Sequence, residues 1–160
     1  MEKQLTINYQ LITDLTTLTQ EDKSLLAMAE SQLQNAYAPY SNFRVAAAIL
    51  LANGETVCGT NQENAAYPMC VCAEVVALNA CASQFSGVAL RKIAITVQSP
   101  SGEMLEPAAP CGQCRQTILE YETRYNSPIE ILLFQAGKKL IRFDSIKSLL
   151  PFYFSGKDLQ

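Results

Sequence analysis

The chain has 160 residues, of which 49% are hydrophobic and 17% charged, so its composition is that of one globular domain and excludes a disordered segment. The formal net charge is −3 with no long basic run, which disfavours a nucleic-acid partner and leaves a small molecule as the expected one. The chain contains no histidine, so Ser-His and Cys-His catalysis and histidine-ligated metals are excluded.

The six cysteines do not by themselves predict a disulfide-bonded secreted protein. The residues after Met1 lead into no long apolar run, so no signal peptide is expected, and no stretch approaches the roughly 20 apolar residues of a membrane span. We therefore expect a cytoplasmic protein with no membrane partner. In that reducing compartment, clustered cysteines more often bind metal or take part in catalysis than form disulfides.

Residues 1–19 are predicted to be an N-terminal extension of a single domain that spans residues 1–160. The extension is polar and rich in threonine. Apolar and polar residues alternate between Leu5 and Leu11, which indicates either an edge strand or a segment packed on a neighbouring chain.

A helix and a hairpin are predicted next. Thr19 followed by Asp22 is typical of a helix start, and Pro39 is predicted to end that helix. Asn53-Gly54 is a strong hairpin signal between two predicted strands, over residues 43–51 and 56–60.

The remainder of the chain alternates helices with strands. Helices are predicted to begin at Cys72, Cys111 and Ser145, and strands to cover residues 93–97, 129–134 and 140–143, the last after a turn at Gly137. Strand-helix-strand units favour parallel pairing with right-handed crossovers. We therefore expect an α/β fold with one mixed sheet and helices on both faces.

Two short motifs carry the most specific pattern in the chain: Cys72-Ala73-Glu74 and Pro110-Cys111-Gly112-Gln113-Cys114. Three cysteines can bind one zinc ion and leave its fourth position open, as catalytic zinc sites do. The last two cysteines share one face of a predicted helix start, and the first opens another helix. Two positive helix ends would therefore favour thiolates at one metal.

Glu74 stands two residues after the first predicted ligand. Zinc with an open position supplies an activated water, and a glutamate beside it can move protons to a ring nitrogen and to departing ammonia. The pattern resembles the signature of zinc nucleoside and nucleobase deaminases, with cysteine as the first ligand. A structural zinc site with Cys70 as fourth ligand is an alternative, although it leaves Glu74 without a purpose. Apart from that alternative, Cys58, Cys70 and Cys81 are interpreted as small buried residues.

Asn61 and Glu63 form a second candidate group. On an extended chain, side chains two residues apart project to the same side, so this pair can hydrogen-bond sugar hydroxyls. A solvated loop is the alternative interpretation. Phe43 has a comparable alternative, since a phenylalanine at a strand start commonly belongs to the core.

Several motifs closely resemble the small cytidine deaminases. They are Tyr37-Ala-Pro-Tyr-Ser-Asn-Phe43, Asn61-Gln-Glu-Asn-Ala-Ala-Tyr67, Cys72-Ala-Glu74, Pro110-Cys-Gly-Gln-Cys-Arg-Gln116 and Leu149-Leu-Pro-Phe-Tyr-Phe154. They keep their order and extend from about the first helix to the C-terminus. The resemblance implies a three-layer α/β/α sandwich around a mixed five-stranded sheet, and deamination of cytidine and deoxycytidine in pyrimidine salvage.

The resemblance also implies roles for individual residues. Cys72, Cys111 and Cys114 would bind one Zn²⁺ per subunit, Glu74 would be the catalytic proton shuttle that also holds the pyrimidine, and the Ala73 backbone would contact the base. The nucleoside would further meet Phe43 near its base and Asn61 and Glu63 at the ribose 3′-hydroxyl. The family's small form is a homotetramer, and Ala65, Tyr67 and Phe154 match positions that reach a neighbouring subunit's pocket.

One residue departs from the family pattern. Three-cysteine members usually have an arginine after the catalytic glutamate, which offsets thiolate charge, whereas this chain has Val75. We expect helix dipoles together with Arg115 or another donor to take over that role.

Three other functions are alternatives. The Val75-Val76 pair resembles the blasticidin-type aminonucleoside deaminases, which lack the Asn61 to Tyr67 motif. A zinc-stabilised, non-catalytic binding module is the non-enzyme alternative, and Glu74 argues against it. An RNA or DNA editor is disfavoured by the acidic charge.

Overall fold

The computed structural model describes residues 1–102, 106–135 and 138–159, so the predicted turn at Gly137 lies outside the described residues. The strands are Gln10–Ile12 (β1), Arg44–Leu51 (β2), Thr56–Thr60 (β3), Leu90–Gln98 (β4), Glu130–Gln135 (β5) and Lys139–Phe143 (β6). The α-helices are Gln20–Gln32 (α1), Ala73–Gln84 (α2) and Gly112–Tyr125 (α3), and the helix predicted at Ser145 is a short 3₁₀ helix, Ile146–Leu149.

Helix α1 begins where the sequence predicts and ends earlier. The Thr19 hydroxyl accepts a hydrogen bond of 3.1 Å from the Asp22 backbone N–H, which caps the helix. After Gln32 the chain tightens into a 3₁₀ turn, and Tyr37 then donates its backbone N–H to the Asn61 carbonyl at 3.1 Å. The chain has thus left the helix before Pro39, the residue predicted to stop it, because this pairing holds Tyr37 beside Asn61.

The sheet is mixed, as predicted. Within the described part of the chain, six strands lie in the order β1-β6-β5-β4-β2-β3. Strands β4 and β5 are parallel and joined by α3, whereas the other neighbouring pairs are antiparallel. The predicted hairpin joins β2 and β3, and Gly54 at its turn has φ +88°, a conformation that favours glycine.

The sheet of the described residues has six strands, one more than the five expected, because the N-terminal extension contributes β1. This strand pairs with β6 from Gln10 opposite Arg142 to Ile12 opposite Leu140. The Tyr9 ring lies 5.8 Å from the Phe143 ring, and Ile12 packs against the core beneath α1. These apolar contacts hold the extension along the sheet edge.

Two apolar clusters cover the two faces of the sheet and confirm the three-layer α/β/α sandwich. Helix α1 packs on one face through Leu25, Leu26 and Ala29. Helices α2 and α3 pack on the other face, where Leu78 and Ile118 are fully buried. The sandwich therefore holds the N-termini of α2 and α3 on the same side of the sheet. No helix in the described part of the chain is long and apolar enough to span a bilayer.

Helix α2 lies directly on the backbone of β3 at Gly59. A Cβ atom at this position would be 2.4 Å from the Ala77 nitrogen and 2.5 Å from the Ala73 carbonyl oxygen. Only glycine permits this approach. The contact fixes the first turn of α2, which carries Glu74, at a set height above the sheet.

A charged cluster ties the first turn of α1 to the sheet. The Asp22 carboxylate is only 1% exposed and accepts hydrogen bonds from Lys92 at 2.6 Å and Arg142 at 2.7 Å. Burial acts to raise the pKa of Asp22, but the bonds from Lys92 and Thr19 outweigh it and the pKa is lowered. The buried charge is thus compensated by cations from β4 and β6.

Candidate active site

Three cysteine thiols meet where two helices begin. Cys72 and Cys111 are the N-cap residues of α2 and α3, and Cys114 lies in the first turn of α3. Their sulfur atoms all lie within 4.8 Å of one another, with Cys72 and Cys111 separated by 3.8 Å and Cys111 and Cys114 by 3.5 Å. The structure therefore brings together the three residues predicted as metal ligands.

The surroundings of the thiols favour ionisation of one of them. Hydrogen bonding to Cys114 lowers the pKa of Cys72 to about 6, against the opposing effects of burial and the Glu74 charge. The same hydrogen bond, with burial, raises the pKa of Cys114. Positive helix ends at Cys72 and Cys111 also stabilise negative sulfur.

The donor set fits zinc. Three sulfur ligands from two helix starts suit a tetrahedral zinc ion with one open position. Cys70 is not part of the cluster: its sulfur accepts a hydrogen bond from the Asn64 backbone N–H at 3.2 Å and lies 3.6 Å from the Asn64 carbonyl. Its interpretation as a small buried residue was wrong, because the loop that carries it leaves Cys70 exposed. Among the described residues, the candidate cluster thus has three cysteines and no fourth cysteine, which disfavours a closed structural site.

Glu74 lies in the first turn of α2, next to the thiols. Its side chain is 4% exposed, and burial raises the pKa of its carboxyl group. The backbone N–H of Glu74 and the nearby Cys114 thiol lower the same pKa to a smaller extent. A carboxyl group of this kind can exchange protons with a ligand, so the geometry is suited to acid–base chemistry.

A cavity of about 300 Å³ opens beside Glu74 and the thiols. It brings together seven residues predicted to act at the site: Phe43, Asn61, Glu63, Cys72, Ala73, Glu74 and Cys111. Cys114 is buried behind them. The volume is at the lower end for a small-molecule site, which suits a ligand of nucleoside size.

The apolar wall of this cavity was not predicted from the sequence. Val45 and Val97, which are paired across β2 and β4, line it together with Ile95. Alternation along the strands indicates that these residues share a face, but it does not show which end of that face stays uncovered by helix.

Asn61 extends the pairing between β3 and β2 with its side chain. Its Oδ1 accepts the Val45 backbone N–H at 2.8 Å and its Nδ2 donates to the Phe43 carbonyl at 2.9 Å. The carboxamide thus takes the place of a further strand residue. A second Nδ2 hydrogen and a second Oδ1 lone pair remain available to a ligand.

Glu63 is held by the segment before β2. Its carboxylate accepts the Tyr40 backbone N–H at 2.9 Å and the Ser41 N–H at 3.3 Å, and the Ser41 hydroxyl also donates to it. The Ser41 hydroxyl bond is the largest cause that lowers the pKa of Glu63. Glu63 is therefore an oriented anion at the cavity, and not a freely solvated loop residue.

Three predicted substrate contacts lie away from the cavity of their own chain. Ala65 is exposed, and the side chains of Tyr67 and Phe154 are 70% and 58% exposed. Tyr67 packs edge-on against Tyr40 with ring centroids 6.1 Å apart. The Phe154 carbonyl accepts a hydrogen bond of 2.8 Å from the Gln116 side chain, which ties the C-terminal segment to α3.

Arg115 is anchored to backbone carbonyls. Its Nε donates to Pro110 at 2.8 Å and its Nη1 to Leu149 at 2.9 Å. The guanidinium thus fixes the residue that precedes Cys111 and links it to the C-terminal segment. Its positive charge adjoins the ligand-bearing turn, and its described hydrogen bonds go to oxygen.

An α/β/α sandwich with three cysteines and a buried glutamate at two neighbouring helix starts has the architecture of a zinc-binding deaminase domain. The model of the family described as "Cytidine and deoxycytidylate deaminase zinc-binding region" matches residues 19–126. The chain belongs to this family.

Individual relatives match over most of their length. A cytidine deaminase from Sporosarcina psychrophila is 36% identical over 137 residues, which covers 86% of this chain and 93% of the relative. The crystal structure of cytidine deaminase from Burkholderia pseudomallei superimposes with a TM-score of 0.70 at 35% identity, covering 86% of this chain and 100% of that one. The cytidine deaminase structure from Mycobacterium tuberculosis gives 0.64 at 32% identity, with coverage of 83% and 96%.

Proposed function

We propose that this chain catalyses the hydrolytic deamination of cytidine and deoxycytidine to uridine and deoxyuridine, a reaction of pyrimidine salvage. The observation that carries the proposal is the buried Glu74 carboxyl, which shares a cavity with Cys72 and Cys111. Relatives named cytidine deaminase that align with most of the chain support the same substrate class.

The chemistry divides between metal and protein. Cys72, Cys111 and Cys114 would hold zinc, which supplies an activated water when bound. Glu74 would take up a proton from the attacking water and deliver it to the ring nitrogen of the base, as the water oxygen bonds to the carbon that carries the exocyclic amine. Glu74 would then pass the proton of the added hydroxyl to that amine, so that the carbon–nitrogen bond breaks and ammonia leaves. Burial raises the pKa of Glu74, which makes its carboxylate a stronger base for this transfer.

The rest of the nucleoside meets groups that the fold has already oriented. Phe43 and the apolar wall offer a surface to the base, and the first turn of α2 presents the Ala73 backbone to it. Asn61 and Glu63 provide an amide and a carboxylate for the sugar 3′-hydroxyl. Because ribose and deoxyribose both carry this hydroxyl, both nucleosides are substrates in this proposal.

The assembly we propose is a homotetramer with shared pockets. Ala65, Tyr67 and Phe154 are exposed and lie outside the cavity of their own chain, so they are available to complete a neighbour's pocket. We further propose a cytoplasmic location. The six cysteines are free thiols, which suits a reducing compartment.

The test is ammonia release by zinc-loaded protein from cytidine, deoxycytidine and cytosine. Turnover of both nucleosides, with little or none of the free base, is the expected result, because Asn61 and Glu63 recognise the sugar. Activity only on an aminonucleoside antibiotic of the blasticidin type would overturn the substrate assignment. Inactivity towards every amine-bearing ring, with zinc bound, would favour a binding module.

A further inference from the structure

A second and larger cavity lies across the sheet from the candidate active site. Its volume is about 670 Å³, and it is formed between the last turn of α1 and the ends of β2, β4 and β5. Arg44 and Gln98, paired across β2 and β4, line this cavity, whereas their neighbours Val45 and Val97 line the active-site cavity. Val97 contributes to both. The volume is well within the range of small-molecule sites.

The charges in this cavity are suited to an anion. Arg44 and Lys138 both line it and are exposed, and the ion pairs among the described residues use other cations. Glu30 is the single carboxylate among the lining residues that are described, so these residues together carry one net positive charge. Gln34 and Gln98 add amide donors. A forked guanidinium, an ammonium and amide N–H groups are the usual partners of phosphate oxygens.

The backbone on both sides of Arg44 is hydrogen-bonded to Asn61 of the candidate active site. The Asn61 side chain bonds to the Phe43 carbonyl at 2.9 Å and to the Val45 N–H at 2.8 Å, so it holds the backbone on both sides of Arg44. Arg44 points its side chain into the second cavity while its flanking peptide groups orient Asn61 in the first. A ligand that fixes the Arg44 side chain can therefore shift Asn61 through these two hydrogen bonds, with no rearrangement of the core.

We propose that the second cavity binds a phosphorylated small molecule through Arg44 and Lys138, and that its binding changes nucleoside affinity through Asn61. The proposal that a phosphorylated ligand binds depends on the second cavity alone. The proposal that this binding changes nucleoside affinity rests on the proposed function. The shared chemistry is a phosphate or diphosphate group, carried by an inorganic anion or by a nucleotide.

Binding is tested by calorimetry with inorganic pyrophosphate and with a nucleoside diphosphate on full-length zinc-loaded protein, with bound zinc measured before and after. We expect saturable 1:1 binding that weakens at least about tenfold in Arg44→Gln and in Lys138→Gln, because each loses charge-assisted bonds. Glu30→Gln is expected to tighten binding. Arg124→Gln, which removes an arginine that lies over the Tyr121 ring, is the matched control. Equal affinity for pyrophosphate and the nucleoside diphosphate would show that the cavity recognises only the phosphate groups. Tighter binding of the nucleoside diphosphate would show that the cavity also recognises the nucleoside.

No binding of either probe at about 1 mM in low salt, or an equal loss in Arg124→Gln, would overturn the proposal. Melting temperatures show whether Arg44→Gln has lost its fold, and Lys138→Gln, outside any strand, keeps the test decisive if it has. For the coupling, pyrophosphate is expected to shift the KM for cytidine in the wild type and not in Arg44→Gln. A protein that binds pyrophosphate but turns over no nucleoside would refute the proposed function and leave the second site standing.

Discussion

Glu74 is deeply buried beside three thiols, and this environment suits its carboxyl group to proton transfer. An apolar substitution there would alter packing and charge together, so the informative change is the isosteric amide. The surrounding residues then stay in place while the acid–base group is lost.

We expect Glu74→Gln to lower kcat for cytidine by about 10²–10⁴-fold or more, because proton transfer through the carboxyl is removed. Bound zinc and melting temperature should match the wild type. The control is Glu120→Gln on the exposed side of α3, which should keep full activity. A Glu74→Gln protein with near-normal turnover would show that another group carries the protons.

Arg115 tests whether charge or position matters next to the metal ligands. Its two bonds to the carbonyls of Pro110 and Leu149 need a planar fork, which lysine lacks. We expect Arg115→Lys and Arg115→Ala to lower the free energy of unfolding by similar amounts, about 1–3 kcal/mol. Zinc affinity, measured by competition with a chromogenic chelator, separates the two roles. If Arg115→Lys binds zinc as tightly as the wild type and Arg115→Ala binds it more weakly, the positive charge offsets the thiolates. Wild-type zinc affinity in both variants would show that Arg115 has no role towards the metal.

At the scale of elements, the site depends on how closely α2 approaches the sheet. Gly59 allows a contact that any side chain would prevent, and the helix start above it carries Cys72 and Glu74. The element boundaries that the sequence predicted well are those marked by local chemistry: the Thr19 cap, the Asn53-Gly54 turn and the cysteine N-caps. This close approach of helix and strand has no local signature.

Gly59→Ala is expected to destabilise the fold by about 1–3 kcal/mol, because a methyl group 2.4 Å from the Ala77 nitrogen forces α2 away from β3. Zinc affinity should fall with it, as Cys72 moves relative to Cys111. Chemical denaturation and metal titration measure the two effects. Gly156→Ala, where a Cβ would meet nothing within 4 Å, is the control. Unchanged values in both assays would contradict the packing argument.

Asp22 makes the anchorage of α1 dependent on pH. Its pKa is lowered in the folded protein, so its contribution to stability is complete above the unfolded value of about 3.9 and is lost as the pH falls through the lower folded value. Asp22→Asn should cost about 3 kcal/mol at neutral pH, because Lys92 and Arg142 lose the buried carboxylate that they share. Their remaining partners, Glu21 and Glu130, are more exposed. Urea unfolding between neutrality and acid pH should show a gap between wild type and variant that narrows below about pH 4. A constant gap would refute the assignment.

At the scale of the whole molecule, the proposed tetramer makes a prediction that needs two inactive variants. If Phe154 completes a neighbour's pocket, a Glu74→Gln chain lacks the proton-transfer group but still supplies Phe154 to its neighbour. A Phe154→Ala chain keeps Glu74 but cannot complete the neighbour's pocket. Subunits exchanged between the two variants should therefore regain activity, while each variant alone stays impaired. Light scattering should report four chains. Met28→Ala, on α1 across the sheet and 39% exposed, is the control and should disturb neither property.

The sequence predicted the helix-strand order, the mixed sheet and the convergence of the three cysteines, because periodicity and ligand spacing record these directly. It did not predict the register of Val45 with Val97, the use of the Asn61 side chain as a continuation of a strand, or the second cavity. These depend on contacts between segments distant in sequence, which no local pattern encodes. The roles of Ala65, Tyr67 and Phe154 remain predictions for the same reason, since they concern contacts between chains.

Cys72 and Cys111 lie 39 residues apart in sequence, yet their sulfurs are 3.8 Å apart. A metal held by both would close a loop that contains α2 and β4, much as a disulfide crosslink does. By the loop-entropy relation, closing a loop of that length removes about 4 kcal/mol of denatured-state freedom. Stripping the metal with a chelator should therefore lower the melting temperature as well as abolish turnover, and refilling the site should restore both. Metal supply in the cell would then set how long the protein survives as well as how fast it works.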